Sequence, residues 1–171
     1  MPAGQKSSPS LQDQVQAQLR LIRNQVAGVR GSLAATSDGL VFAHDVPDLE
    51  PAEIAAISAA TLSLASQATL ASGCGSFREA VARGSNGYLA VYAAGDSAIV
   101  AVIGTSSLNL GLLQFRAREI IDRIGSYSTQ IGAWAAPGRT AAQDAAAPPP
   151  RQARGTGGAP AALPRRRPAA S

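Results

Sequence analysis

The run Ala98-Ile99-Val100-Ala101-Val102-Ile103 contains no polar side chain. Successive side chains of a strand point to opposite faces of its sheet, so a strand of this composition has to be covered on both sides. The segment therefore demands a sheet with helices on both faces. Three stretches can supply them. Leu11, Val15, Leu19, Ile22 and Val26 recur at steps of four, four, three and four, which places them on one side of a helix over about 11–27. Ser10 is its N-cap, Asp13 stands in its first turn, and Gly28 ends it. A second helix spans about 51–72, with Pro51 in its first turn, Asp48 or Glu50 as cap, and Gly73-Cys74-Gly75 as its stop. Ala and Ser fill most of it, and Ile54, Ile57, Thr61, Leu64 and Ala68 form its main apolar stripe. A third spans about 108–127, with Ser107 as cap and Leu110, Leu113, Ile120, Ile121 and Ile124 on the buried side.

Turn chemistry supplies the remaining strands. Ser37-Asp38-Gly39 separates Val29–Thr36 from Leu40–His44, and Asp-Gly is favoured in tight hairpins because both residues tolerate positive φ. Asn86-Gly87 and Gly95-Asp96 divide a meander of roughly Ser76–Arg83, Tyr88–Ala93 and Ser97–Ile103. The predicted order is αββαβββα, an α/β (α+β) domain with a five-stranded antiparallel sheet and helices on both faces.

The apolar fraction of 46% in 171 residues is enough for one core. From Ala135 onward Ala, Pro, Gly and Arg dominate without apolar periodicity, so the expected division is a disordered N-terminus over 1–10, a folded domain over 11–130 and a disordered tail over 131–171. The sequence pI near 10.0 belongs to that tail. Before position 135 there are nine basic and ten acidic side chains, and the domain carries no basic face for nucleic acid. Arg165, Arg166 and Arg167, beyond the Pro148-Pro149-Pro150 run, form a basic tip able to touch anionic lipid or nucleic acid, too small for stable anchoring. The single cysteine, Cys74, excludes an intramolecular disulfide framework, and no apolar run approaches the ~18–20 residues that span a bilayer. The expected location is cytoplasmic.

The segments VAGVRGSLAATSDGLVFAHD, AAISAATLSLASQATLASGCGSFREAVARGSNGYLAVYAAGDSAIVAVI and NLGLLQFRAREIIDRI resemble the Roadblock/LC7 domain in its bacterial, MglB-like form. The resemblance covers about 11–127 and is strongest to members of actinobacterial operons that also encode a sensor-kinase-like protein and a small Ras-like GTPase. It implies a homodimer in which the strand around Phe77–Arg83 pairs with its copy and the second helices lie together, making Phe77, Glu79, Val81, Arg83, Ser58 and Ala65 interface residues. It also implies regulation of a small Ras-like GTPase without a donated catalytic arginine, or an adaptor role beside a sensor kinase. On the residues alone, Leu62, Ser66, Thr69 and Leu70 sit away from the Ile54–Ile57–Leu64 stripe and form a second patch, the expected partner-binding surface.

Catalytic chemistry finds little support. No G-x-x-x-x-G-K-[ST] loop is present and Lys6 is the only lysine, so the chain is not itself a P-loop GTPase. His44 is the sole histidine and reads as a polar strand end. Cys74 reads as a buried or half-buried small residue after a helix. Arg30, Arg78 and Arg83 read as edge-strand charges that keep the sheet soluble rather than as an arginine finger. Tyr127 and Trp134 are expected to pack the end of the last helix. The expectation is a regulator with no catalytic residues, cofactor or metal.

Overall fold

A computed structural model of the chain describes residues 9–135. The expectations for residues 1–8 and for the tail from 136 lie outside the described residues. The chain forms α1 (Leu11–Gln25), β1 (Val29–Thr36), β2 (Val41–Asp45), α2 (Pro51–Ala71), β3 (Glu79–Gly84), β4 (Gly87–Ala94), β5 (Ala98–Thr105), α3 (Leu110–Gly125) and α4 (Ser128–Trp134). All strands are antiparallel, in the order β2-β1-β5-β4-β3.

β5, the all-apolar strand, lies at the centre of the sheet, and alternation divides its side chains between two cores. Ala98, Val100 and Val102 face α1, α3 and α4 together with Val15, Leu19, Ile22, Leu113 and Ile124. Ile99 and Ala101 face α2 with Leu33, Ala35 and Val46. Helices thus cover both faces, as the composition of this strand requires.

Local chemistry sets the helix ends. Ser10 and Asp13 form a reciprocal capping box on α1, and the hydrogen bonds from Ser10 hold the exposed Asp13 carboxyl below its ordinary pKa. On α3 the cap is Asn109, whose side-chain oxygen accepts from Leu112 N at 3.0 Å. The predicted cap Ser107 instead hydrogen-bonds the Thr105 hydroxyl at 2.8 Å. The β3–β4 turn also falls one residue earlier than predicted. Gly84 pairs with Gly87 around Ser85-Asn86, and Gly87 is the first residue of β4. There the glycine serves a close approach, since a Cβ would stand 2.1 Å from Gly104 O of β5.

The first residues of the predicted tail are helical. α4 was not expected because seven residues containing Gly132 show no periodic stripe. Tertiary packing forms it: Ile131 is fully buried, and Trp134 meets Phe42 edge-on at 5.4 Å and 89°. Tyr127 and Trp134 therefore pack against the core from within or beside α4, rather than past the last helix.

The second helix is turned from the predicted orientation: of the expected apolar stripe Ile54 packs inward, while Ile57 and Leu64 do not. Ala55 and Ser58 are its buried residues, and Ile54, Ala59 and Leu62 pack with them on the sheet. Ile57 and Leu64, assigned to the buried stripe, are 45% and 69% exposed. Its 21 residues and mean hydropathy of 1.4 also meet the length and composition of a bilayer-crossing helix, contrary to the expectation that no run would approach them. The bonding of Ser58 Oγ to Ile54 O at 2.7 Å and of Thr61 Oγ1 to Ile57 O at 2.8 Å satisfies two of its hydroxyls within the helix.

Leu33→Ala, at a fully buried site beneath α2, is expected to cost about 2–5 kcal/mol in urea unfolding. Leu64→Ala on the outer face should stay within about 0.5 kcal/mol of the parent.

Candidate functional site: the sheet edges and the outer face of α2

An open sheet ends in two strands whose outward backbone groups lack a ladder partner. The two edges here are treated differently. Thr36 N bonds Leu40 O across the β1–β2 turn, and the register shift between Ala34 and Ala35, where pairing passes from Val41 to Ala43, reverses the alternation so that the carbonyls of Phe42 and His44 point away from β1. Both are taken by α1: Gln12 Nε2 donates to Phe42 O at 2.9 Å and Gln16 Nε2 to His44 O at 3.0 Å. The match is geometric, because four helical residues rise about 6.0 Å and two strand residues about 6.6–6.8 Å. Arg23, on the same side of α1, pairs with Asp45 at 3.0 Å (Nε to Oδ2). That contact is charge pairing rather than a well-directed hydrogen bond, since Oδ2 is buried without one. α1 thus seals the β2 edge.

Among the described residues β3 has no such cover. Arg78 O accepts from Ala93 N at 3.0 Å, so the main-chain groups of residues 78, 80, 82 and 84 face β4 and those of Glu79, Val81 and Arg83 face outward. The strand is exposed at every position except half-buried Ala80. Its side chains at 79, 81 and 83 lie on the α3 side: Glu79 opposes Tyr92, and Gln114 of α3 donates to Glu79 Oε1. The Arg83 guanidinium lies 5.6 Å from the Tyr88 ring centroid.

The other predicted site residues divide as follows. Phe77 precedes β3 and is half-buried, Ala65 is half-buried, and Ser58 is fully buried against the sheet, so Ser58 offers no interface surface. Leu62 packs into the core beneath α2, and Ser66 and Thr69 are half-buried beside it; only Leu70 of the predicted patch, 67% exposed, turns out to solvent. Leu62, Ser66 and Leu70 instead line a groove of about 310 Å³ with Phe77 and the β4–β5 turn. The open apolar face of α2 is the Ile57–Thr61–Leu64–Ala68 side, which the sequence reading placed inward. Cys74 is exposed, not buried, and a Cβ at either flanking glycine, Gly73 or Gly75, would meet nothing within 4 Å, so the helix stop is open to solvent. His44, Arg30, Arg78 and Arg83 are exposed on or beside strands.

A cleft of about 380 Å³ lies between α3 and β3–β4, lined by Arg78, Glu79, Tyr92, Gln114, Arg118 and Asp122 among others. Its charges balance. Burial, and secondarily the Glu79 carboxylate, pushes the Tyr92 phenol up to about 12, and its hydroxyl is buried without a hydrogen-bond partner among the described residues. The phenol therefore stays protonated at neutral pH.

A helix-covered sheet with one sealed edge, one open edge and an unpaired apolar helix face defines a small α+β module suited to strand addition. The chain belongs to the Roadblock/LC7 domain family, whose profile matches residues 16–104. An uncharacterised protein of Methanocaldococcus jannaschii is 28% identical over 102 residues, 59% of this chain and 89% of its own. The fold is shared with the Roadblock/LC7 domain from Streptomyces avermitilis, at TM-score 0.62 and 20% identity over 66% of this chain and 95% of that one. It is shared also with an MglB solved in a tetrameric arrangement, at TM-score 0.65 and 17% identity over 72% and 94%.

Gln12→Ala combined with Gln16→Ala frees the Phe42 and His44 carbonyls, and light scattering should then show assemblies heavier than those of the parent as concentration rises. An unchanged mass distribution would count against the seal. In alkaline titration followed by phenolate absorbance, Tyr92→Phe should remove the component near pH 12. A folded phenol that keeps its proton where the unfolded one, near 10.0, loses it adds stability that is complete below pH 10 and lost as pH rises toward 12. Unfolding should become easier across that window in the parent and not in the variant.

Proposed function

We propose that this chain is a non-catalytic, homodimeric regulator, acting in the cytoplasm, that binds a small Ras-like GTPase and modulates its nucleotide cycle. The observation that carries this reading is the pair of unpartnered surfaces in a Roadblock/LC7 domain: the bare β3 edge and the outer face of α2, with Leu64 and Ile57 69% and 45% exposed. Pairing at β3 about a dyad perpendicular to the sheet puts both α2 helices on one face. Their outer stripes then form a joint platform that a single copy lacks.

The docking surface centres on Ile57, Thr61, Leu64 and Ala68 rather than on Leu62, Ser66 and Thr69, which α2 turns toward the sheet, or on Leu70, which lies round the helix beside the Leu62–Ser66–Phe77 groove. Regulation arises by differential affinity: a platform that fits one arrangement of the partner's switch loops better than another shifts their population. The nucleotide and its phosphate-binding loop belong to the partner, since this chain has neither that loop nor any lysine beyond Lys6.

The test combines the purified chain with a small Ras-like GTPase from the same organism and measures binding and GTP turnover. The expected result is a complex with altered turnover, weakened about tenfold or more by Leu64→Asp, a change of about 1.4 kcal/mol or more, while unfolding shifts by no more than about 0.5 kcal/mol. Binding with unchanged turnover would assign the alternative role, an adaptor linking the GTPase or a sensor-kinase-like protein to other components. Absence of any complex would overturn the GTPase reading.

A further inference from the structure

Given that the chain pairs with itself through β3, the edge also specifies how. We propose that two copies join antiparallel with the dyad at Val81, so that Glu79 of each copy faces the partner's Arg83 and the two ion pairs set the register.

The argument starts from the alternation of backbone groups. Only Glu79, Val81 and Arg83 present both their N–H and C=O outward, so only these three can face their counterparts in a ladder. With the dyad at Val81 all three engage: Val81 opposes its own copy, and Glu79 and Arg83 oppose each other twice. Moving the dyad by one position toward either end opposes Val81 to a charged residue and breaks both ion pairs. Moving it by two sets Glu79 against Glu79 or Arg83 against Arg83. Like charges directly opposite destabilise a sheet and opposite charges stabilise it, so one register is favoured over its neighbours.

The side chains are placed for this. Residues 79, 81 and 83 share the α3 side of the sheet, where directly opposed Cβ atoms stand about 4.5–5.5 Å apart. Gln114 holds one carboxylate oxygen of Glu79, leaving Oε2 uncommitted among the described residues. Arg83 rests beside the Tyr88 ring with no carboxylate partner among those residues. Val81, 38% exposed, supplies the apolar centre. The sealed β2 edge offers no equivalent row, since its outward Phe42 and His44 carbonyls already have donors. The occupant of β3 is therefore a second copy of the same strand, to which the Glu–Val–Arg alternation is self-complementary under a two-fold axis.

Sedimentation of the full chain tests this with a charge swap. Glu79→Arg and Arg83→Glu, taken singly, set two like charges against each other at each end of the pairing, and each is expected to weaken self-association about tenfold or more. The double variant Glu79→Arg/Arg83→Glu should return within about threefold of the parent. A second measurement places a thiol at the dyad. In a Cys74→Ser background, Val81→Cys should oxidise to a covalent dimer, because residues opposed in a hydrogen-bonded antiparallel pair lie ~5.5 Å apart at Cα, within disulfide reach. Ala82→Cys, opposed instead to the partner's Ala80, should not. A dimeric parent whose single charge reversals leave association unchanged, or whose Ala82→Cys variant cross-links in place of Val81→Cys, would overturn the register and leave the β3 dimer standing. A parent that stays monomeric at all concentrations would overturn the dimer and the register together.

Discussion

β5 loses water on both faces. Ile99, Val100, Ala101 and Val102 are all fully buried, two of them toward α2 and two toward α1, α3 and α4. Burying a Val or Ile side chain contributes about 1.5–3 kcal/mol, and a strand that contributes on both sides must be central. Once it is central, the order of the other strands follows, with β1 and β4 on its flanks and β2 and β3 at the edges. The functional surfaces are a consequence of this arrangement, because whatever lies outermost carries the unpaired backbone.

The two edges then diverge through one helix. α1 is anchored by Val15, Leu19 and Ile22, and that anchoring brings Gln12, Gln16 and Arg23 to β2. A polar row along a helix and a carbonyl row along a strand have nearly equal repeats, so two glutamines one turn apart close two outward carbonyls. Among the described residues β3 receives no comparable cover, and the polar contact from α3 reaches the Glu79 side chain rather than its backbone. Among the described residues one edge of the sheet is thereby left open, and the residues along it alternate acidic, apolar and basic.

Much of this was legible in the sequence. The spacing of Leu11 through Val26 placed α1 to within two residues at its end, the reach of Val29–Thr36 matched β1, and the family resemblance agreed with the Roadblock/LC7 match. Turn residues located the hairpins but not their register: Asn86-Gly87 reads as a turn pair, whereas Gly87 is needed inside β4 for its approach to Gly104. α4 was invisible because one buried isoleucine and one tryptophan make no period. The largest departure was α2. Ala, Ser and Thr encircle it, so the bulky residues alone suggested a buried stripe, and they chose the wrong side. Ala55 and Ser58 lie where α2 comes closest to the sheet, with Ile54 and Leu62 packed beside them, while Ile57 and Leu64 face out, a choice that the bulk of the side chains alone does not reveal.

By itself the sequence determined the identity and order of the elements expected from local patterns, the cap on α1, the all-apolar strand that had to be central, and the charge segregation that leaves the folded part near neutrality. These depend on residues a few positions apart, whose relation is the same in any tertiary setting. Only the tertiary structure decided which face of α2 is bare, which edge is closed, and that an ion pair from the last turn of α1 and two side-chain amides from the same helix close it. These depend on partners from 22 to 30 residues apart in the chain, and no periodicity within a single segment encodes what another segment will bring against it.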